Sequence, residues 1–179
     1  MKKFYALLVG LVLLVGCATR GFPPAAGILN YDHVDQYVDR GAQPNRRGIE
    51  FLKNQNVTLV INLRDVGDTW VNEGQTCTNY GIKYLWVPLN GAHAPSKADV
   101  GKILAVIASE IKAGGKVFFH CQHGCDRTGT IAACYEIQFK GESNADALSE
   151  ANFYGMSKLE FGMRSFIKRY KSYDVRRRT

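Results

Sequence analysis

The stretch from Lys116 to Phe139 constrains the chain most. Lys116-Val117-Phe118-Phe119 is a short apolar run with the residue types of a buried strand. Arg127 opens a helical pattern that runs to about Phe139. Between them lies only the loop His120-Cys121-Gln122-His123-Gly124-Cys125-Asp126, with Gly124 free to take a backbone turn that a side chain would block. A strand that passes straight into a helix is half of a parallel crossover, because the helix must pack back onto the sheet.

The rest of the chain repeats the alternation. Gln36 to Arg40 reads as a short strand, and Arg46 to Asn54 as a helix with Asn45 as its N-cap. Val57 to Leu63 is a β-branched strand, Asp68 to Tyr80 part loop and part helix, and Ile82 to Pro88 the next strand. Ser96 caps a long amphipathic helix to Ala113, with Ile103, Val106, Ile107 and Ile111 on one face, ended by Gly114-Gly115. Helices near Ser143–Asn152 and Leu159–Tyr170 close the chain. This order predicts an α/β fold, a central, mostly parallel sheet of four to five strands flanked by helices. Such sheets bind ligands at the carboxyl ends of their strands, where the 120–126 loop begins.

The N-terminus reads as a separate device. Met1-Lys2-Lys3 is basic, and Phe4 to Val15 is apolar but shorter than the roughly 20 residues that span a bilayer. It suits the core of a signal peptide. The run ends in Leu14-Val15-Gly16-Cys17, which looks like a bacterial lipobox, with Cys17 as the lipidated residue. Residues 1–16 are then a signal peptide, 17–27 a tether rich in Gly, Pro and small residues, and 28–179 one folded domain. Acyl chains on Cys17 would anchor the protein to a membrane. By similarity to sorting rules of double-membrane bacteria, Ala18 after the cysteine favours the periplasmic side of the outer membrane.

The net charge of +7, part of it in Arg176-Arg177-Arg178, suits an anionic ligand or an anionic membrane surface. No aromatic and basic stripe points to nucleic acid. The expected partners are a phosphorylated substrate and, through the lipid, a membrane, with the protein itself a monomer.

The loop carries its own chemistry. Backbone N–H groups converging ahead of a helix N-terminus bind anions. Gln122, His123, Gly124, Cys125 and Asp126 supply such amides, and Arg127 adds a planar cationic fork that can grip two phosphate oxygens. The same positive field favours a thiolate at Cys121. His-Cys, five residues, Arg, Thr is the signature of the protein tyrosine phosphatase superfamily, and every position of it is present. Arg40-Gly41-Ala42-Gln43-Pro44 and Val60-Ile61-Asn62-Leu63-Arg64 extend the resemblance to the compact dual-specificity phosphatases, in particular the atypical group of bacteria, fungi and plants, over roughly residues 30 to 170.

That resemblance implies a cysteine-dependent phosphatase acting on phosphotyrosine, inositol phosphates or phosphoinositides, with no metal or cofactor. In it Cys121 attacks phosphorus, Arg127 and the loop amides hold the phosphoryl oxygens, Thr128 hydrogen-bonds the sulfur, and His120 orients the loop. The family's usual acid loop corresponds to Val87-Pro88-Leu89-Asn90-Gly91-Ala92-His93, which has Asn90 where an aspartate is expected. Asp126, Asp68 and His93 are the candidates to replace it. Asp126 is preferred, because myotubularin- and Sac-type phosphatases resemble it in carrying Asp immediately before Arg; Asp99 is assigned to its helix dipole instead.

Three other readings compete. The chain could be a phospho-ligand-binding module without turnover. A sulfurtransferase loop fits the spacing poorly. A metal site at His120, Cys121, His123 and Cys125 matches no common zinc spacing and would face a repelling Arg127. Cys125 could pair reversibly with Cys121 under oxidation, Cys77 being the other possible partner. Cys134 reads as a small buried hydrophobe.

Overall fold

A computed structural model describes residues 25–66 and 72–173. The lipobox, Cys17, most of the tether, Asp68 and the Arg176–Arg178 tail lie outside the described residues. A five-stranded sheet runs through the domain: β1 (Asp32–His33), β2 (Val38–Ala42), β3 (Leu59–Asn62), β4 (Lys83–Trp86) and β5 (Val117–Cys121). The spatial order is β1-β2-β5-β3-β4, with only the β1–β2 pair antiparallel. Among the described residues seven helical segments accompany it: α1 (Arg46–Asn54), α2 (Glu73–Asn79), α3 (Lys97–Lys112), α4 (Asp126–Tyr135), its π-helical continuation Glu136–Lys140, α5 (Asn144–Phe153) and α6 (Phe161–Arg169). Among the described residues, no helix is long and apolar enough to cross a membrane.

The expected caps are made. Asn45 accepts the Gly48 amide at 2.9 Å and Ser96 the Asp99 amide; Ser143, not read as a cap from the sequence, accepts the Asp146 amide in the same way. The period-two rule then sorts the strands onto two cores. Leu59, Ile61, Val117 and Phe119 face one way and pack with α3, α4, α5 and α6. Val60 and Phe118 face the other way, against Ile49 and Leu52 of α1 and Cys77 of α2. The alternation continues to the strand end: the His120 ring lies against Phe118, their centroids 5.6 Å apart, whereas Cys121 belongs to the α3–α6 core.

Three details differ from expectation. β2 starts two residues later than the pattern indicated, at Val38, because its ladder with β5 pairs Val38 with Val117 and Ala42 with Cys121. The folded part also reaches back into the expected tether, since Ala25 bridges to Ile28 and packs on the second core. Finally, the expected single helix from Arg127 to Phe139 starts at Asp126 and widens into a π-helix after Tyr135.

That π-helical turn buries an acid. Glu136 is 1% exposed. Burial first, then a hydrogen bond to Glu150 and its charge, push the Glu136 carboxyl up to about 8. In the unfolded chain a glutamate loses its proton near about 4.3. Between those two values the folded chain holds a proton that the unfolded chain has released, so stability falls as pH rises through that window and levels off above it. Glu136→Gln cannot ionise, and its melting temperature relative to the parent is expected to climb as pH goes from 5 to 9. Calorimetry at several pH values checks this; a difference that stays constant with pH rules the account out.

Candidate active site

The loop between β5 and α4 takes its shape from the backs of its peptide groups. Three consecutive carbonyls are held from outside: Gln122 O accepts the Gln43 amide (3.3 Å), His123 O the Asn30 side chain (2.9 Å), and Gly124 O the Arg40 guanidinium (3.0 Å). In a trans peptide the carbonyl and the next N–H point in opposite directions. The amides of His123, Gly124 and Cys125 are therefore turned to the inner side of the loop, at the N-terminus of α4, and form an anion cradle. Gly124 is required there. Its φ is +73°, and a Cβ on it would lie 2.7 Å from both the Ala42 nitrogen and the Gly41 carbonyl carbon.

The nucleophile and the cation enter from opposite ends of this loop. Cys121 is the last residue of β5 and is buried at its base. Arg127 lies in the first turn of α4, 9% exposed, with Nη1 3.4 Å from the Leu89 carbonyl. Gly91 passes directly beside it: a Cβ at that position would lie 3.8 Å from the guanidinium carbon. The loop after β4 thus covers the arginine.

His120 is fully buried behind the loop. Its Nδ1 lies 3.2 Å from the Cys121 carbonyl, and its Nε2 lies 2.9 Å from Glu73 Oε1, off the hydrogen-bonding direction. Glu73, itself 1% exposed, also accepts from Gln43 and Asn62 at 2.8 Å each and from the Tyr84 hydroxyl at 3.2 Å. Gln43 therefore touches both the loop and this carboxylate. A buried charge with several donors rigidifies its surroundings, and here the surroundings are the end of β5.

Arg40 supports the loop from the other core. It is 1% exposed, its guanidinium carbon 3.8 Å from the centroid of the Tyr154 ring. Burial pulls its guanidinium below the usual range, opposed by the charges of Tyr154, Glu150, Glu136 and Cys121. A positive charge with little water around it acts at longer range than one at the surface, and Cys121 is among the groups it reaches.

The remaining expected residues are placed as follows. The Asp126 carboxylate accepts the Ser157 amide at 2.7 Å, in the first turn of α4. The Thr128 hydroxyl is directed at the Gly41 carbonyl, 3.4 Å away, rather than at sulfur. Gln122 and His123 are exposed. His93 and Asn90 face each other across 2.8 Å, and Asn90 also accepts the Ala92 amide, so the loop after β4 is braced from within. Asp99 engages its own cap Ser96. Cys121 and Cys125 are not joined to each other by a disulfide, and Cys125 Sγ is held 3.3 Å from the Asn30 amide nitrogen. Cys77 lies in the second core, the layer opposite Cys121. Among the described residues no group of three or more His, Cys, Asp or Glu is placed to hold a metal ion.

A cysteine at the end of the central parallel strand, a loop of inward amides and an arginine in the following helix are the features of a protein tyrosine phosphatase site. A model of the family described as "polymorphic toxin system, DSP-PTPase phosphatase" matches residues 36–142, and the chain belongs to that family. It is 30% identical over 118 residues to the phosphatidylglycerophosphate phosphatase PTPMT2 of Arabidopsis thaliana, covering 65% of this chain and 51% of that protein. It is 29% identical over 131 residues to the dual specificity protein phosphatase TpbA of Pseudomonas aeruginosa, covering 71% and 55%. The chain thus spans about half the length of the curated relatives it matches. Among solved structures, the core catalytic domain of the PP-IP phosphatase SIW14 from S. cerevisiae shares its fold with a TM-score of 0.70 at 21% identity, over 88% of this chain and 92% of that one.

Proposed function

We propose that the protein hydrolyses phosphate monoesters through a cysteinyl-phosphate intermediate. The observation that carries this reading is the row of three loop carbonyls held from behind, which turns the loop amides inward between Cys121 at the end of β5 and Arg127 at the start of α4. In the proposed reaction the Cys121 thiolate attacks phosphorus while the P–O bond to the leaving group breaks. Arg127 and the amides hold the phosphoryl oxygens throughout, and catalysis rests on position and electrostatics. Asp126 gives the leaving oxygen its proton, then takes one from the water that cleaves the P–S bond and returns Cys121 to the thiolate. His120 fixes the strand end. Gln122 and His123 add loop backbone, and Thr128 ties the start of α4 to the end of β2 through the Gly41 carbonyl.

Phosphotyrosine and phosphoinositide head groups are the proposed substrate classes. Similar proteins support this: TpbA has been crystallised with pTyr, and PTPMT1 with PI(5)P. A binding module without turnover is not favoured, since Cys121 and Arg127 are both present and the named relatives are phosphatases. The test is phosphate release from p-nitrophenyl phosphate, phosphotyrosyl peptides and phosphoinositides by protein lacking residues 1–16. Release from none of them overturns the reading.

The N-terminal pattern supports a second part of the proposal: export, lipidation at Cys17, and attachment of a monomeric enzyme to the periplasmic side of the outer membrane. Cys17→Ala should move the protein from the membrane fraction to the soluble one. Unchanged membrane recovery argues against the anchor.

A further inference from the structure

The chain between α5 and α6 puts two large apolar side chains into solvent. Leu159 is 77% exposed and Phe161 72%. Their backbone is tied down: the Leu159 amide donates to Ser157 Oγ at 3.1 Å, the Glu160 amide to the Ser157 carbonyl at 3.2 Å, and the Phe161 amide to the Leu159 carbonyl at 2.9 Å. This turn stands beside the candidate site. On one side the Ser157 amide donates to the Asp126 carboxylate at 2.7 Å. On the other, a Cβ on Gly162 would lie 3.2 Å from the Ala94 nitrogen, in the loop after β4.

α6 continues the surface with charge. Met163, Ile167 and Tyr170 are buried, and at helical spacing they mark its inner face. Phe161, Lys168 and Arg169 are exposed on the opposite side, and so are Lys158 before the turn and Lys171 after the helix. No acidic residue occurs between Glu160 and Lys171, and Glu160 itself is half-buried. Lys97, from the start of α3, shares a cleft with Arg169. A row of exposed cations headed by a leucine and a phenylalanine suits a lipid surface: the cations meet lipid phosphates, and the apolar side chains enter the boundary between head groups and acyl chains. A protein partner fits less well. Stable protein interfaces bury about 800 Å² on each side and are depleted of lysine, whereas here two apolar side chains stand among lysines.

We propose that the 157–161 turn and the outer face of α6 dock the protein onto an anionic lipid bilayer, with Leu159 and Phe161 inserted and Lys158, Lys168, Arg169 and Lys171 on the lipid phosphates. Docking by this surface brings Asp126 and the loop after β4 to the level of the head groups, so that a phosphorylated lipid reaches the loop amides without leaving the bilayer. The docking needs no acyl chain on Cys17. Its consequence for substrates rests on the phosphatase reading above.

Every arm of the test uses the full chain carrying Cys17→Ala, so that no acyl anchor contributes. Phe161→Trp places a reporter on the turn. Vesicles of equal parts phosphatidylcholine and phosphatidylglycerol with brominated acyl chains should quench its fluorescence beyond the level of the parent, vesicles of phosphatidylcholine alone should not, and added salt should reverse the effect. Leu159→Ser with Phe161→Ser is expected to weaken binding to the anionic vesicles by about tenfold or more, and Lys168→Gln with Lys171→Gln by about 20-fold. Melting temperatures should not change, because each of these side chains is exposed. The double serine variant should also lose rate on long-chain phosphatidylinositol phosphate in such vesicles and keep the parental rate on its dioctanoyl analogue in free solution. No quenching at position 161, equal quenching by both kinds of vesicle, or equal losses on both substrates overturns the proposal. If vesicles bind neither chain and the two serines instead abolish a dimer seen by sedimentation velocity, the surface is an interface between copies and lipid docking is rejected. Vesicle binding without phosphate release from either lipid would keep the docking surface and count against the phosphatase reading.

Discussion

Cys121→Ser is expected to cut phosphate release by about 10⁴-fold or more while leaving the loop able to bind oxyanions. A serine hydroxyl at the base of the cradle is not ionised at neutral pH and cannot take the thiolate's place, and removal of the nucleophile from a unit of acting groups costs most of its rate. The cradle itself is made of backbone amides whose carbonyls are fixed by Gln43, Asn30 and Arg40, and none of those contacts involves the Cys121 sulfur. Tungstate or orthophosphate should therefore raise the melting temperature of Cys121→Ser at least as much as that of the parent. Initial rates and thermal shifts, measured on the same preparation, check both halves. A variant that keeps more than about a hundredth of the rate would remove Cys121 from the mechanism.

Arg127→Ala should lose both halves at once. An arginine that stabilises charge on a transferring phosphoryl group is worth about 10³–10⁵ in rate, and here the same side chain is also a wall of the anion site. Arg127→Lys should recover little. A lysine is a point charge on a flexible stem and cannot offer two parallel donors. The guanidinium is also set in place by the Leu89 carbonyl and by the close pass of Gly91, a geometry drawn to the length of arginine. Steady-state kinetics, with the tungstate thermal shift alongside, measure both. If Arg127→Lys works as well as the parent, the fork is not used.

The local parts of this molecule were readable from its sequence because local rules produce them. Asn45 and Ser96 cap the helices they precede in sequence, and the helix expected at Arg46–Asn54 has those same bounds. The apolar strands stand at the positions their β-branched runs indicated. The supports of the loop were not readable. Asn30 meets His123 across 93 residues of chain and Arg40 meets Gly124 across 84, and no pattern within a window of ten residues carries such a pairing. The β2 strand was misread by two residues for a related reason. Asp39 and Arg40 look like exposed charges in sequence, yet both are buried by partners that appear only once β2 lies beside β5: Lys116 for Asp39, and Gly124 with Tyr154 for Arg40. Glu73 was missed because a single acid in a short helix gives no signal until its neighbours in space are known.

The strand order has a kinetic corollary. β5, which carries Cys121, has no hydrogen-bonded neighbour close to it in sequence; it is flanked by β2 and β3, so both of its ladders close large loops of chain. Such closures cost entropy before any contact rewards them, and they slow folding. A chain emerging from synthesis or refolding from denaturant can have its hairpin-like and helical pieces in place and still lack the cradle, since the cradle exists only when β2 has delivered Arg40 and Gln43 to the end of β5. Recovery of oxyanion binding then follows the slowest refolding phase, and until that phase is over the thiol of Cys121 is an ordinary cysteine in an incomplete sheet.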